Sequence, residues 1–146
     1  MKFTRWLFVI LTLAAAHAQE EAPLADKAAT LPLEIETVAS GGFWSRDGHD
    51  GSYRLVIELL GWETLYNRAF LQWIRLDPDK QEKVVERTVP IEEIGGRWRI
   101  SSQKFVYRGK QTIIVISAER QYPPARTTFT IVPSADFSYK ITASEK

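Results

Sequence analysis

From Leu31 onward the chain is a succession of short runs rich in Val, Ile, Thr, Tyr, Phe and Trp, each closed by Gly, Pro or Asp. No window repeats its apolar residues every 3.6 positions over three turns, so the pattern is strand and turn rather than helix. The longest unit covers residues 51–76 and reads as a long β-hairpin with Gly61-Trp62-Glu63 at its turn. Candidate strands are residues 33–39, 52–60, 65–76, 82–89, 98–101, 104–107, 111–119, 126–132 and 137–142, the two shortest being separate pieces or one irregular edge. Asp77-Pro78-Asp79, Gly95-Gly96, Arg108-Gly109-Lys110, Tyr122-Pro123-Pro124 and Pro133-Ser134-Ala135-Asp136 punctuate them. In these turns proline presets φ and glycine supplies φ > 0.

Roughly seven to nine short strands so spaced predict an all-β domain, an antiparallel β-sandwich of immunoglobulin-like arrangement. A small β-barrel is the alternative. Alternation places Tyr53, Leu55, Ile57 and Leu59 on one face. Further on, it places either Ile113, Val115 and Ser117 inward or, in the opposite register, Ile114, Ile116 and Ala118. The second hairpin strand is apolar on both sides, with Phe70, Ile74 and Leu76 on one and Leu65, Ala69, Leu71 and Trp73 on the other. A sandwich strand meets the core with one face only. The second face therefore calls for a cover, whether a loop, a dimer partner or a ligand.

The start of the chain has the anatomy of a secretory signal. Lys2 and Arg5 form a positive n-region, an apolar run follows, and Ala16-His17-Ala18 is a small-x-small cleavage site. The apolar run is shorter than the roughly 20 residues that span a bilayer, so no membrane insertion is expected after cleavage. The predicted organisation is a signal peptide at 1–18, a flexible alanine-rich, charged linker at 19–30 and one β-sandwich domain at 31–146. The chain has no cysteine, which excludes a lipobox anchor and leaves the apolar core to hold the fold without disulfides. Its single asparagine, Asn67, lies outside any glycosylation sequon. Together these features favour a bacterial protein that is periplasmic or secreted.

Loss of Lys2 and Arg5 on processing turns the formal charge from +1 to −1, and basic and acidic residues interleave throughout. A nucleic-acid partner would call for a basic face, so none is expected. Catalytic signatures are equally absent. His49, in Ser45-Arg46-Asp47-Gly48-His49-Asp50-Gly51, has acidic neighbours, but no Gly-x-Ser-x-Gly elbow presents a nucleophile. Asp47, His49 and Asp50 match neither a calcium loop nor a zinc spacing, so no metal is expected. Glu34/Glu36 and Glu92/Glu93 read as solvated pairs rather than glycosidase carboxylates. There is no phosphate loop and no cofactor signature.

The aromatic residues are the functional clue. Phe43 and Trp44 follow Gly41-Gly42, Trp62 sits in the hairpin turn with Tyr66 close behind, and Trp98 lies between Arg97 and Arg99. Such residues at turns suit recognition, because tryptophan offers a wide rigid face and one donor. The sequence thus predicts a non-enzymatic binding protein of the cell envelope whose contacts are Phe43, Trp44, Trp62, Tyr66, Arg97, Trp98 and Arg99. Its expected partner is another envelope or secreted protein, or itself as a homodimer. The alternative is a carbohydrate-binding module that recognises peptidoglycan or exopolysaccharide through exposed aromatics.

Overall fold

The hairpin at 51–76 is the centre of the first of two sheets. The computed structural model describes residues 31–145, so the signal and linker expected at 1–30 lie outside the described residues. Strands β1 (Ile35–Arg46), β2 (His49–Leu60), β3 (Tyr66–Asp77) and β4 (Glu82–Pro90) form one antiparallel sheet in that order. A second sheet carries β5 (Arg99–Arg108), β6 (Gln111–Arg120), β7 (Ala125–Pro133) and β8 (Tyr139–Glu145), again in chain order and antiparallel.

Turn chemistry explains the order. Between β1 and β2 the loop is Asp47-Gly48, both with positive φ, as the hairpin-compatible type I′ turn requires. Between β5 and β6 it is Gly109-Lys110, with positive φ at the glycine. At the end of β3, Asp77 accepts hydrogen bonds from the backbone N–H groups of Asp79 and Lys80, closing an Asx turn. Each tight reversal returns the chain beside the strand it has just left, and only the segment between Pro90 and Arg99 crosses to the other layer. The sandwich is as expected, but each sheet is a plain meander. An immunoglobulin-like order would interleave strands of the two sheets, and a closed barrel would join their ladders. The described strands do neither. The two short runs near residue 100 are one strand, β5, with a bulge at Ser101.

The two inner faces meet in one core. Tyr53, Leu55 and Ile57 of β2 and Ala69, Leu71 and Trp73 of β3 pack against Ile114, Ile116 and Ala118 of β6 and Phe129 and Ile131 of β7. The choice of register left open for β6 is thereby resolved. The crossing segment carries a single 3₁₀ turn, Glu92–Ile94, and adds Ile91, Ile94 and Trp98 as a plug. It also completes the β3 backbone, since Ile91 N–H donates to Ala69 O and Asn67 N–H to Trp98 O.

The second face of β3 is partly covered from within its own sheet. The Arg68 guanidinium lies 5.9 Å from the Phe70 ring centroid, and Gln72 bridges Arg54 and Thr88 by side-chain hydrogen bonds. Ile74 is buried, whereas Leu76 and Val85 stay exposed.

Candidate functional site

β1 carries a bulge between Gly41 and Trp44, and it decides which aromatic faces the core. Gly41 stands opposite the inward Tyr53, so unbroken alternation would send Phe43 inward and Trp44 outward. The extra residue reverses this, and Trp44 pairs with Gly51. Gly42 sits at the bulge with φ 71°, and a Cβ there would lie 2.3 Å from the Thr112 hydroxyl. Phe43 is exposed instead, and Trp44 is only 3% exposed. Trp44 packs edge-on to Phe137 with centroids 6.2 Å apart and donates its indole N–H to Ser52 O at 3.1 Å. The expectation that Trp44 serves as a contact is therefore corrected: it is a core residue.

Trp98 is corrected in the same way. It is 9% exposed, and its ring meets Phe129 edge-on at 5.4 Å. It holds the crossing segment down rather than facing a ligand. Phe43 lies at the far end of β2 from Trp62, roughly 30 Å away at the rise of a strand. One surface combining the two does not exist. Phe43 borders a shallow apolar hollow of about 270 Å³ with Ile74, Leu76 and Lys83.

Three of the other predicted residues do meet. Tyr66, Arg97 and Arg99 line an open cleft of about 530 Å³ at the end of the sandwich that carries the β2–β3 turn. Three loops build it: the β2–β3 turn with Glu63, Thr64 and Leu65, the crossing segment with Gly96, and the β6–β7 loop with Gln121 and Tyr122. Trp62, next to Glu63, is 95% exposed, and Tyr122 is 90% exposed. Neither has a packing role that would explain so large an aromatic. Arg120, Tyr122, Glu63 and Glu119 were not among the predicted contacts. Tyr122 is marked in sequence by its two prolines, but nothing in the chain order places it beside residues 63–66.

Behind the cleft lies the polar centre of the fold. Asn67 is fully buried, and all its side-chain groups are engaged. Its Nδ2 donates to Glu36 Oε2 (2.7 Å) and Glu58 O (3.0 Å), and its Oδ1 accepts from Ile100 N–H (2.7 Å) and Arg99 (3.3 Å). Arg99 in turn grips Glu36 with two parallel bonds of 2.8 and 2.9 Å. Glu36 reaches this position because it is the extra residue of a second bulge in β1, between Ile35 and Thr37. The network ties β1, β2 and β3 to β5 and so clips the two sheets together.

The hydrogen bond from Arg99 holds the Glu36 carboxyl below its ordinary value, with burial opposing and Asn67 assisting. A lowered folded pKa adds stability that is present above the ordinary glutamate pKa and is lost as pH falls through the lowered one. Urea unfolding followed from pH 7 to pH 3 is expected to show this acid-side loss. Glu36→Gln should flatten it, and an equal slope in both proteins would contradict the assignment.

The cleft's charges divide into paired and free. Arg99 is held by Glu36, and Glu119 lies 3.9 Å from Arg126. Arg97, Arg120 and Glu63 form no ion pair among the described residues. Arg120 is fixed all the same: its Nε donates to Pro123 O at 3.0 Å, and its guanidinium lies 5.0 Å over the Trp98 ring. His49 opens β2 opposite Arg46, and the Asp47 carboxylate beside it is taken by Arg46. No group of three metal-ligating side chains forms among the described residues.

Substitution separates the two kinds of tryptophan. Trp62→Ala is expected to change unfolding free energy by less than about 0.5 kcal/mol. Trp44→Phe, which loses the indole donor and leaves a gap, should cost roughly 2 kcal/mol. Urea midpoints of the two variants check this directly.

Comparison with protein-family models, curated proteins and solved structures finds no match to this chain.

Proposed function

We propose that this is an exported, non-enzymatic binding protein of the bacterial cell envelope that holds another protein at the cleft lined by Tyr122, with Trp62 on the adjoining turn. The observation that carries the reading is the near-complete exposure of Tyr122, which lines a cleft shared with three arginines, and of Trp62, the chain neighbour of the lining residue Glu63. Trp, Tyr and Arg are the residues that dominate binding energy at protein interfaces. Export is supported by the n-region, apolar run and cleavage motif of residues 1–18.

The test is affinity capture from envelope extract with the wild-type protein and a Trp62→Ala, Tyr122→Ala double variant. Loss of a specific partner in the variant is expected. Identical partner sets would sink the reading, since the double change leaves the core intact. One observation favours glycan as a second reading: the exposed Tyr122 ring lines a cleft that also carries the Gln121 amide and the Glu63 carboxylate, groups that can bind a sugar's ring and hydroxyls. Titration with peptidoglycan fragments that moves the tryptophan emission of the wild type, but not of Trp62→Ala, would select it.

A further inference from the structure

The cleft differs from an ordinary solvated surface in one respect: it holds a guanidinium in place without neutralising it. Arg120 spends its Nε on Pro123 O and rests its planar face on Trp98. Its terminal Nη groups have no carboxylate partner among the described residues. A guanidinium already ordered by a backbone acceptor and an aromatic face loses little freedom when it takes up a ligand. Its two outer N–H donors match the geometry of a carboxylate. Across the same cleft Arg97 is exposed and likewise without an acidic partner.

The opposing charge is limited. Glu36 is taken by Arg99, and the carboxylates that line the cleft are Glu63 and Glu119, the latter 3.9 Å from an exposed Arg126. Arg97, Arg99 and Arg120 facing these two carboxylates leave an excess of one positive charge. That suits isolated carboxylates better than a dense polyanion. Tyr and Arg are among the residues that dominate binding energy at protein interfaces, and Tyr122, Arg97 and Arg120 line this one cleft. The balance favours a peptide.

We propose that the cleft recognises a glutamate or aspartate side chain on an extended segment of the partner protein. Arg120 is the anchoring donor, Arg97 the second, and Tyr122 within the cleft, with Trp62 on the adjoining turn, supplies the apolar contact to the segment. This rests on the reading of the cleft as a protein-binding face, and names what that face reads.

The probe is acetyl-Ala-Glu-Ala-Glu-Ala-amide, with acetyl-Ala-Gln-Ala-Gln-Ala-amide as its uncharged counterpart and trigalacturonate as a carboxylate carried on sugar. Binding is followed by tryptophan emission and amide chemical shifts. The glutamate peptide should bind about tenfold more tightly than the glutamine peptide, and weaken as salt is raised. Arg120→Gln and Arg97→Gln should each reduce its affinity about fivefold or more. Arg97→Gln alters an exposed side chain outside the core, so its thermal midpoint should match the wild type and keep the test valid if Arg120→Gln loosens the Trp98 contact.

Equal binding of the two peptides, or unchanged affinity in both arginine variants, overturns the proposal. Tighter binding of trigalacturonate than of the glutamate peptide overturns it too, and assigns the carboxylate to a glycan. Affinity capture separates this from the parent reading. If the Trp62, Tyr122 double variant loses the partner while both arginine variants keep it, carboxylate recognition falls and the protein-binding face stands. If the double variant keeps the partner, the face itself falls.

Discussion

Trp73→Ala is expected to lower unfolding free energy by about 4–5 kcal/mol, enough to leave a domain of ordinary stability partly unfolded at room temperature. Trp73 is fully buried in the middle of β3, where β2 and β4 flank it. Its ring meets Tyr53 at 5.9 Å and Phe137 at 5.8 Å, both edge-on. Its indole N–H donates to Ser134 O at 2.8 Å, which fastens the first sheet to the β7–β8 turn of the second. Alanine removes a fully buried indole, the aromatic contacts and the cross-layer bond together. Phe137 loses a support it needs, because it sits at φ 67°, an unfavourable conformation for a phenylalanine. Trp73→Phe keeps the apolar bulk and should recover about half the loss. A urea midpoint for Trp73→Ala that corresponds to less than about 1 kcal/mol would contradict this packing.

Asn67→Ala is the second large effect, with a different cause. Little apolar surface is lost, but the Ile100 N–H and the Glu58 carbonyl are left without their partners, and the Glu36 and Arg99 pair loses its inner support. Buried groups left unsatisfied cost about 1–3 kcal/mol each, so a total near 3–4 kcal/mol is expected. Hydrogen exchange gives the more specific signature. The Ile100 amide should exchange much faster in the variant, while amides in the centre of β6 and β7 change only in line with global stability. Uniform acceleration across both sheets would mean that Asn67 does not act as a local clip.

Most strand positions were legible because alternation and turn residues are local signals, but β1 runs on from residue 39 through Gly41-Gly42 to Arg46, where glycines in a bulged strand read as a loop. The open choice at β6 was not legible, since Ile113 and Ile114 are both apolar and only packing against the other sheet selects Ile114, Ile116 and Ala118. Bulges were the larger obstacle. One extra residue after Gly41 exchanges the fates of Phe43 and Trp44, and one at Glu36 turns a strand-face carboxylate into the partner of Arg99. Neither changes composition or spacing, so periodicity misleads wherever a bulge lies. Trp98 was misread for another reason: it sits in a connection without period, and its burial follows from the need to close the end of the sandwich. Tyr66, Arg97 and Arg99 were legible as candidates, but not as neighbours of Arg120 and Tyr122. That neighbourhood depends on the order of two meanders.

Recognition is proposed at the end cleft and not at the apolar hollow beside Phe43. Mapping of amide chemical-shift changes on the isotope-labelled domain, with the captured partner added, addresses it directly. The expected result is a cluster of changes at residues 62–66, 96–99 and 119–122. Changes gathered instead around Phe43, Ile74, Leu76 and Lys83 would contradict it, and would move the binding face to the opposite end of β2.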